Sequence, residues 1–213
     1  MNDVLDSVIV FDVDETLGCF SALDIMCYFL ETYNSRPLTL TEFNTMLDIF
    51  PELLRPKIIT YLRYLKRQKA KKRFDKLVVY TNNTGPNEWI DRILNYLSVK
   101  VKKTKTQKTK SIFDNVIRAY EIEGKKIEPK RTEHSKTYDD LVRCLDVKTI
   151  NKVCFIDDQY HKLLEHPNVS SLHIPAYYCE ITKKTLLNRL LKSKIYYLLG
   201  DLFSFNKYAD KYY

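Results

Sequence analysis

The stretch VIVFDVDETLG, residues 8–18, decides the fold class of this chain. Its four consecutive apolar residues predict a strand that is buried on both faces, as strands of parallel sheets are. The strand ends at Asp12, and Asp14 and Thr16 follow at intervals of two residues. Two carboxylates so close together are either a solvated turn after a core strand or a site that holds a metal ion and a phosphate group.

Three more short apolar runs predict buried parallel strands, and segments with helical spacing separate them. The predicted strands are 7–11, 76–80, 152–156 and 170–174. The predicted helices are 22–33, 41–50, 55–68, 87–97, 111–122, 138–146 and 182–199, with Thr41 and Thr182 as helix caps. Strands that alternate with helices predict an α/β fold with a mainly parallel sheet.

Composition sets broad limits on the class of protein. The 213 residues, 45% of them hydrophobic, suffice for one domain with a modest insertion, and no apolar run approaches the length of a membrane span. Five cysteines without a CxxC pair suit a reducing compartment, and the N-terminus does not read as a secretory signal. We therefore expect a soluble intracellular protein, cytoplasmic or nuclear. Its lysine, tyrosine and isoleucine bias is compatible with an AT-rich genome such as that of a large DNA virus.

The chain is basic, with a formal net charge of +8. Lysines cluster at 66–73 and 100–110. These clusters are either solvated faces or an attraction for an anionic partner, such as phosphorylated protein or nucleic acid. No aromatic residue lies within 98–111, which weakens the case for a site that stacks nucleic-acid bases.

Small polar or acidic side chains follow three of the predicted strands. They are Asp12 and Asp14 after the first, Thr81, Asn82 and Asn83 after the second, and Asp157 and Asp158 after the third. Because the carboxyl ends of parallel strands meet at one edge of a sheet, these groups are expected to form a single site. Asn82 and Asn83 are either phosphate contacts or turn-forming residues.

Several carboxylates in one crevice repel each other unless a cation lies among them. All the expected ligands are hard oxygen donors and no histidine joins them, which favours Mg²⁺ over Zn²⁺. A carboxylate can attack phosphorus, and a second one can protonate the leaving oxygen and then activate water. A threonine hydroxyl and a lysine would stabilise the phosphoryl oxygens. His161, close after the third acidic pair, either lines the site or lies at the surface, and the surface is the expectation.

Four motifs along the chain resemble those of the haloacid dehalogenase (HAD) superfamily of phosphohydrolases. FDVDETL (11–17) resembles the first motif, DxDxT. Thr81 at a strand end resembles the second, Lys136 in HSKTYDDL the third, and FIDD (155–158) the fourth. The resemblance implies a Rossmann-like three-layer sandwich with a small or minimal cap, in a single domain of residues 1–213. Residues 18–53 look helical and are the candidate for a small cap insertion.

A closer resemblance covers most of the chain. LRPKIITYL (54–62) and the segment 136–175 are similar to the FCP/SCP-type phosphatases, also called NLI-interacting-factor-like phosphatases, which act on the C-terminal domain of RNA polymerase II. Two departures separate the chain from that pattern. The fourth motif ends in Asp157-Asp158 instead of Asp-Asn, as in the magnesium-dependent phosphatase branch, and the second reads TNNTG.

The resemblance implies a role for each matching residue. Asp12 would be the nucleophile and Asp14 the general acid and base. Thr81 and Lys136 would be catalytic and would also bind the phosphoryl group, together with Asn82. Lys136 has competitors among the many other lysines, Lys130 and Lys148 in particular.

The resemblance also implies a metal site for Mg²⁺. Its ligands would be Asp12, the backbone carbonyl of Asp14, and Asp157 or Asp158. Thr16 is expected to organise the loop after the first strand through hydrogen bonds.

The function expected from these residues is a Mg²⁺-dependent phosphatase that works through an aspartyl-phosphate, with a phosphorylated protein as partner. Alternatives within the same superfamily are a phosphatase for small molecules, for nucleotides or for nucleic-acid ends. A further alternative is a non-catalytic scaffold that binds a partner.

Overall fold

The computed structural model describes residues 4–102 and 111–210, so most of the lysine cluster at 100–110 lies outside the described residues. The chain divides into two compact units. The first comprises Met1–Leu17 and Lys57–Tyr177, and the second comprises Gly18–Pro56 and Tyr178–Tyr213. The candidate cap at 18–53 belongs to the second unit, and its action as a cap stays a prediction.

Strands and helices alternate along the chain. The strands are β1 (Val4–Phe11), β2 (Lys76–Tyr80), β3 (Asn115–Ile117), β4 (Glu121–Ile122), β5 (Lys125–Lys126), β6 (Thr149–Asp157) and β7 (Val169–His173). The helices are α1 (Phe20–Asn34), α2 (Leu40–Ile49), α3 (Ile58–Ala70), α4 (Asn87–Lys102), α5 (Tyr138–Cys144), α6 (Lys183–Leu191) and α7 (Leu202–Ala209).

Five parallel strands in the order β3-β2-β1-β6-β7 form the central sheet of the first unit. Helices flank this sheet, which confirms the predicted α/β fold of the Rossmann-like, three-layer kind. β1 lies in the middle and pairs with β2 on one side and β6 on the other. Its apolar residues, such as Val8 and Val10, are buried, as expected for a central strand covered on both faces of the sheet. The chain leaves β1 for β2 on one side and reaches β6 on the other, and this reversal of strand order is where open α/β sheets bind ligands.

The helix predicted at 111–122 is wrong. The segment contains the edge strand β3, which pairs with β2, and the first strand of the β4–β5 hairpin. The Asp114 carboxylate accepts a hydrogen bond from the Leu77 backbone N–H at 2.7 Å. This segment therefore forms hydrogen bonds to β2 in place of the hydrogen bonds of a helix. Glu123 and Gly124 both have positive φ at the tip of the hairpin, a conformation that suits a two-residue turn.

Three smaller sequence predictions also need correction. The helix predicted at 182–199 ends with α6 at Leu191, because the Ser193 hydroxyl donates to the Leu190 carbonyl and accepts from the Ile195 N–H in place of helical bonds. The cap of α2 is Thr39 instead of Thr41, since Thr39 and Glu42 have the spacing of a capping box. Strand β7, predicted to be buried, lies at the sheet edge with four of its five residues exposed.

The second unit is mainly helical and has an aromatic core. The Phe205 ring of α7 packs edge-on against Phe29 and Tyr33 of α1, with ring centroids 5.3 and 5.0 Å apart. The predicted Thr182 cap of α6 is confirmed, since its hydroxyl accepts a hydrogen bond from the Thr185 N–H.

Within residues 4–102 and 111–210, none of the helices combines the length and the apolar character that a membrane span needs.

Candidate functional site

A cavity of about 250 Å³ lies in the first unit, at the carboxyl ends of β1, β2 and β6. The cavity is lined by Asp12, Asp14, Thr81, Asn82, Asn83, Thr84, Lys136, Asp157, Gln159 and His161. All of the catalytic and substrate-binding residues predicted from the sequence are in this set. The parallel sheet places them together although up to 124 residues of chain separate hydrogen-bonded partners.

Lys136 joins two of the carboxylates. Its Nζ atom lies 2.6 Å from Asp12 Oδ1 and 2.7 Å from Asp157 Oδ2, and its side chain is 2% exposed. Lys136 directly precedes Thr137, the N-cap of α5, whose hydroxyl accepts a hydrogen bond from the Asp140 N–H. The capped start of the helix thereby fixes the backbone next to Lys136. Its competitor Lys130 pairs instead with Asp146, away from the cavity lining.

The electrostatics of Asp12 and Asp157 differ although both bind Lys136. Burial raises the pKa of the Asp12 carboxyl, and the Lys136 ammonium opposes this shift. Burial acts in the same direction on Asp157, but hydrogen bonds from His161, Lys136 and the Gln159 N–H outweigh it and lower the pKa of that carboxyl. Asp157 is therefore held ionised more firmly than Asp12.

Asp14 faces the cavity with a different partner. Its Oδ2 atom accepts a hydrogen bond from Asn83 Nδ2 at 2.9 Å. Burial raises the pKa of Asp14 to about 6, although the bond from Asn83 lowers it in part. A carboxyl with this pKa can exchange a proton near neutral pH.

The loop after β2 forms a tight turn at the cavity edge. Thr81 is fully buried, and its backbone N–H donates to the Ile117 carbonyl of β3 at 3.0 Å. Its hydroxyl oxygen accepts from the Asn83 N–H at 3.0 Å, and the Asn83 side-chain oxygen accepts from the Gly85 N–H at 2.9 Å. Asn83 thus has the turn-forming role and also positions Asp14.

Three carboxylates could hold a metal ion. One oxygen atom each of Asp12, Asp157 and Asp158 lies within 4.8 Å of the others. These hard oxygen donors fit Mg²⁺ by type. Lys136 supplies one positive charge to the two buried members, so the three carboxylates together keep negative charge that a divalent cation would compensate. The Asp14 side chain is not part of this cluster and bonds to Asn83 instead, and the predicted role of the Asp14 backbone carbonyl as a metal ligand stays a prediction.

Thr16 ties the two acidic loops together, as the sequence predicts for a loop-organising residue. Its hydroxyl donates to Asp158 Oδ1 at 2.9 Å and accepts from the Asp158 N–H at 3.1 Å. The side chain thereby fixes the loop after β6 against the loop after β1. Asp158 is consequently oriented by Thr16, whereas Asp157 is oriented by Lys136.

The sequence pattern does not predict the positions of two residues of the site. His161, expected at the surface, lines the cavity with Nε2 2.9 Å from Asp157 Oδ2 and a side chain only 13% exposed. Arg131 lies fully buried behind the loop after β2 and bonds to Asn82. Its place in the charged run EPKRTEH (128–134) gives no sign of burial, because such runs are usually solvated.

Comparisons of the chain with protein-family models, with curated proteins and with solved structures each found no match.

Proposed function

We propose that this protein is a Mg²⁺-dependent phosphatase of the HAD type that hydrolyses phosphomonoesters through an aspartyl-phosphate. The substrate class we propose is protein phosphoserine or phosphothreonine. An intracellular location, cytoplasmic or nuclear, belongs to the same proposal.

One observation carries the proposal: a nucleophile, a proton donor, a hydroxyl and a cation line the same small cavity. They are Asp12, Asp14, Thr81 and Lys136, and the loops after β1 and β2 and the approach to α5 supply them. A cluster of acids without a lysine and a hydroxyl would suit cation binding alone. The added donors suit an anion with developing charge, which is what phosphoryl transfer presents.

In the first step an Asp12 carboxylate oxygen attacks phosphorus, and the bond from phosphorus to the ester oxygen breaks. Asp14 gives its proton to that oxygen, so the alcohol leaves neutral and Asp14 becomes a carboxylate. Burial raises the pKa of Asp14 to about 6, so a larger fraction of this carboxyl carries the required proton near neutral pH than of an ordinary aspartate. The Thr81 hydroxyl and the Lys136 ammonium donate hydrogen bonds to the phosphoryl oxygens.

In the second step a water molecule attacks phosphorus and the bond to Asp12 breaks. Asp14, now a carboxylate, takes a proton from that water, which restores both aspartates and releases inorganic phosphate. A Mg²⁺ ion held by Asp12, Asp157 and Asp158 would supply charge neutralisation between the carboxylates and the phosphoryl group when bound. Lys136 keeps Asp12 and Asp157 in place through its two ion pairs.

The size of the cavity supports a macromolecular substrate. A volume of about 250 Å³ is below the roughly 300–1,000 Å³ of most small-molecule pockets. It suits a phosphoryl group with the start of a side chain, while the remainder of the substrate stays outside. A phosphorylated side chain on a protein has this form.

The direct test is the hydrolysis of para-nitrophenyl phosphate by the purified full chain. We expect turnover with Mg²⁺, loss of turnover in EDTA and recovery when Mg²⁺ is added in excess. Released phosphate is measured alongside para-nitrophenol to confirm the balance of the reaction. Undiminished turnover in EDTA would overturn the metal requirement, and absence of turnover with Mg²⁺ on every phosphomonoester tried would overturn the proposed function.

A further inference from the structure

Arg131 is a buried cation behind the loop after β2, whose residues 81–84 line the cavity. Its side chain is fully buried, although arginine is among the residues least often found inside proteins. Arginine carries its positive charge on a planar group with five N–H donors. Burial of this charge is costly, and the structure should therefore show what compensates it.

The contacts of the guanidinium are almost all with neutral oxygen atoms. Nη1 donates to the Asn82 side-chain oxygen at 2.9 Å, the Arg118 carbonyl at 2.8 Å and the Thr81 carbonyl at 3.4 Å. Nη2 donates to the carbonyls of His134 and Ser135 at 2.7 and 3.0 Å. The Tyr80 ring lies beneath the group, with its centroid 4.8 Å from Cζ, and Nε has no hydrogen-bond partner among the described residues.

Across residues 4–102 and 111–210, no carboxylate forms an ion pair with Arg131. The buried Asp140 is committed elsewhere: it accepts from the N–H and hydroxyl of Thr132 and pairs with Arg143. Carbonyl dipoles and a ring face lower the cost of the buried cation but leave its net charge in place. Among the described residues, the Arg131 guanidinium therefore touches no group of opposite charge, and the nearest acidic cluster is the one that lines the cavity.

Arg131 bonds to residues that are, or directly precede, the groups proposed to bind the phosphoryl group. Thr81 and Asn82 line the cavity, and Ser135 is the residue before Lys136. Arg131 itself does not line the cavity. A single guanidinium therefore connects the loop after β2 with the approach to α5, and both loops deliver groups to the same cavity.

We propose that Arg131 is a positioning residue of the phosphate site. Its fork holds Thr81 and Lys136 in one relative geometry, and its positive charge behind the cavity offsets part of the charge of the cavity carboxylates, which favours a phosphate dianion there. This inference rests on the proposed function for its substrate. Lysine cannot replace it, because one ammonium group has three donors in a compact head and cannot span both loops.

The experiment compares wild type with Arg131→Lys and Arg131→Met, and Arg73→Met serves as the control because Arg73 is an exposed arginine of the same unit. Binding of inorganic phosphate is measured by calorimetry in Mg²⁺ buffer, and turnover of para-nitrophenyl phosphate is measured separately. Far-UV circular dichroism verifies that each variant is folded at the temperature used. We expect Arg131→Lys to weaken phosphate binding and lower kcat/KM by about tenfold each, and Arg131→Met by about 100-fold, with the control unchanged.

A purely structural role would lower the melting temperature and leave the phosphate affinity of the folded variants unchanged, which would overturn the inference. Should both variants fail to fold, the wild type decides. Phosphate addition should shift the NMR signal of the Arg131 side chain and leave that of Arg73 in place, and phosphate binding without a shift at Arg131 would overturn the inference. Arg131-dependent phosphate binding without turnover refutes the proposed function alone, whereas turnover that Arg131→Lys leaves unchanged refutes this inference alone.

Discussion

At the scale of single residues, Lys136 explains how two buried carboxylates can face one cavity. A buried ion pair stabilises a protein little, but removal of one partner from it is costly because a charge is left unpaired. Lys136 has two partners, Asp12 and Asp157, so either can be altered while the ammonium keeps the other. This arrangement allows Asp12 to be tested without loss of the fold.

We expect Asp12→Asn to reduce turnover of para-nitrophenyl phosphate by about 10⁴-fold or more, because an amide cannot serve as the nucleophile. The amide oxygen can still accept from Lys136, and Asp157 remains ionised, so the melting temperature should change by only a few degrees. Asp139→Asn is the control, since Asp139 is an exposed carboxylate in the first turn of α5. Turnover near the wild-type rate in Asp12→Asn would remove Asp12 as nucleophile.

The sequence located most residues of the candidate site because each follows a recognisable strand end. Asp12, Thr81 and Asp157 come directly after apolar runs. Because the carboxyl ends of parallel strands lie at one edge of the sheet, these residues come together there. Arg131 and His161 carry no such local signal. Their burial depends on how distant loops fold over them, which composition and periodicity do not encode.

At the scale of elements, the same contrast separates the sheet centre from its edge. The strands β1, β2 and β6 were predicted because continuous apolar runs are buried on both faces. The segment 111–122 was misread because Ile112, Phe113, Val116 and Ile117 have a spacing that fits a helix as well as it fits short strands. Residues 115–117 form a strand because they pair with the edge of β2. A local sequence pattern contains no information about such long-range pairing.

Helix α2 of the second unit offers a test of stability that is independent of the candidate site. Glu42 is 2% exposed and accepts hydrogen bonds from Arg36, the Thr39 N–H and the Tyr197 hydroxyl. The bond from Arg36 is the largest cause of a pKa lowered to about 2, and it outweighs the effect of burial. A carboxylate whose pKa falls on folding stabilises the protein above its unfolded pKa and loses this effect as pH falls toward the folded value.

We therefore expect Glu42→Gln to lower the free energy of unfolding by about 1–2 kcal/mol at pH 7, since glutamine keeps the capping-box acceptor but not the charge. The difference from wild type should shrink as the pH falls from about 4.5 toward 2, and urea unfolding at several pH values measures it. Glu180→Gln, at an exposed position of the same unit, should change stability by less than about 0.5 kcal/mol. A difference that stays constant across this pH range would contradict the charge-based explanation.

At the scale of the whole molecule, the net charge of +8 bears on which phosphomonoesters the chain meets. A small substrate such as para-nitrophenyl phosphate interacts with the cavity alone. An acidic phosphopeptide also experiences the long-range field of the protein, which raises the rate of encounter and is screened by salt. The two kinds of substrate should therefore respond differently to ionic strength.

We expect kcat/KM for an acidic phosphoserine peptide to exceed that for nucleotides, sugar phosphates and a 5′-phosphorylated oligonucleotide. It should fall by about fivefold or more between 50 and 300 mM NaCl, while the value for para-nitrophenyl phosphate stays within about twofold, because screening acts on long-range attraction and not on bonds inside the cavity. A phosphopeptide with the same sequence but neutral flanking residues is the matched control and should lose most of the salt effect.

Preference for the oligonucleotide would shift the proposal to nucleic-acid ends, since terminal phosphates on a polyanion have the same salt response but a different rank in kcat/KM. Preference for a sugar phosphate or nucleotide, with little salt effect, would instead assign the basic surface to solvation and the cavity to a small metabolite.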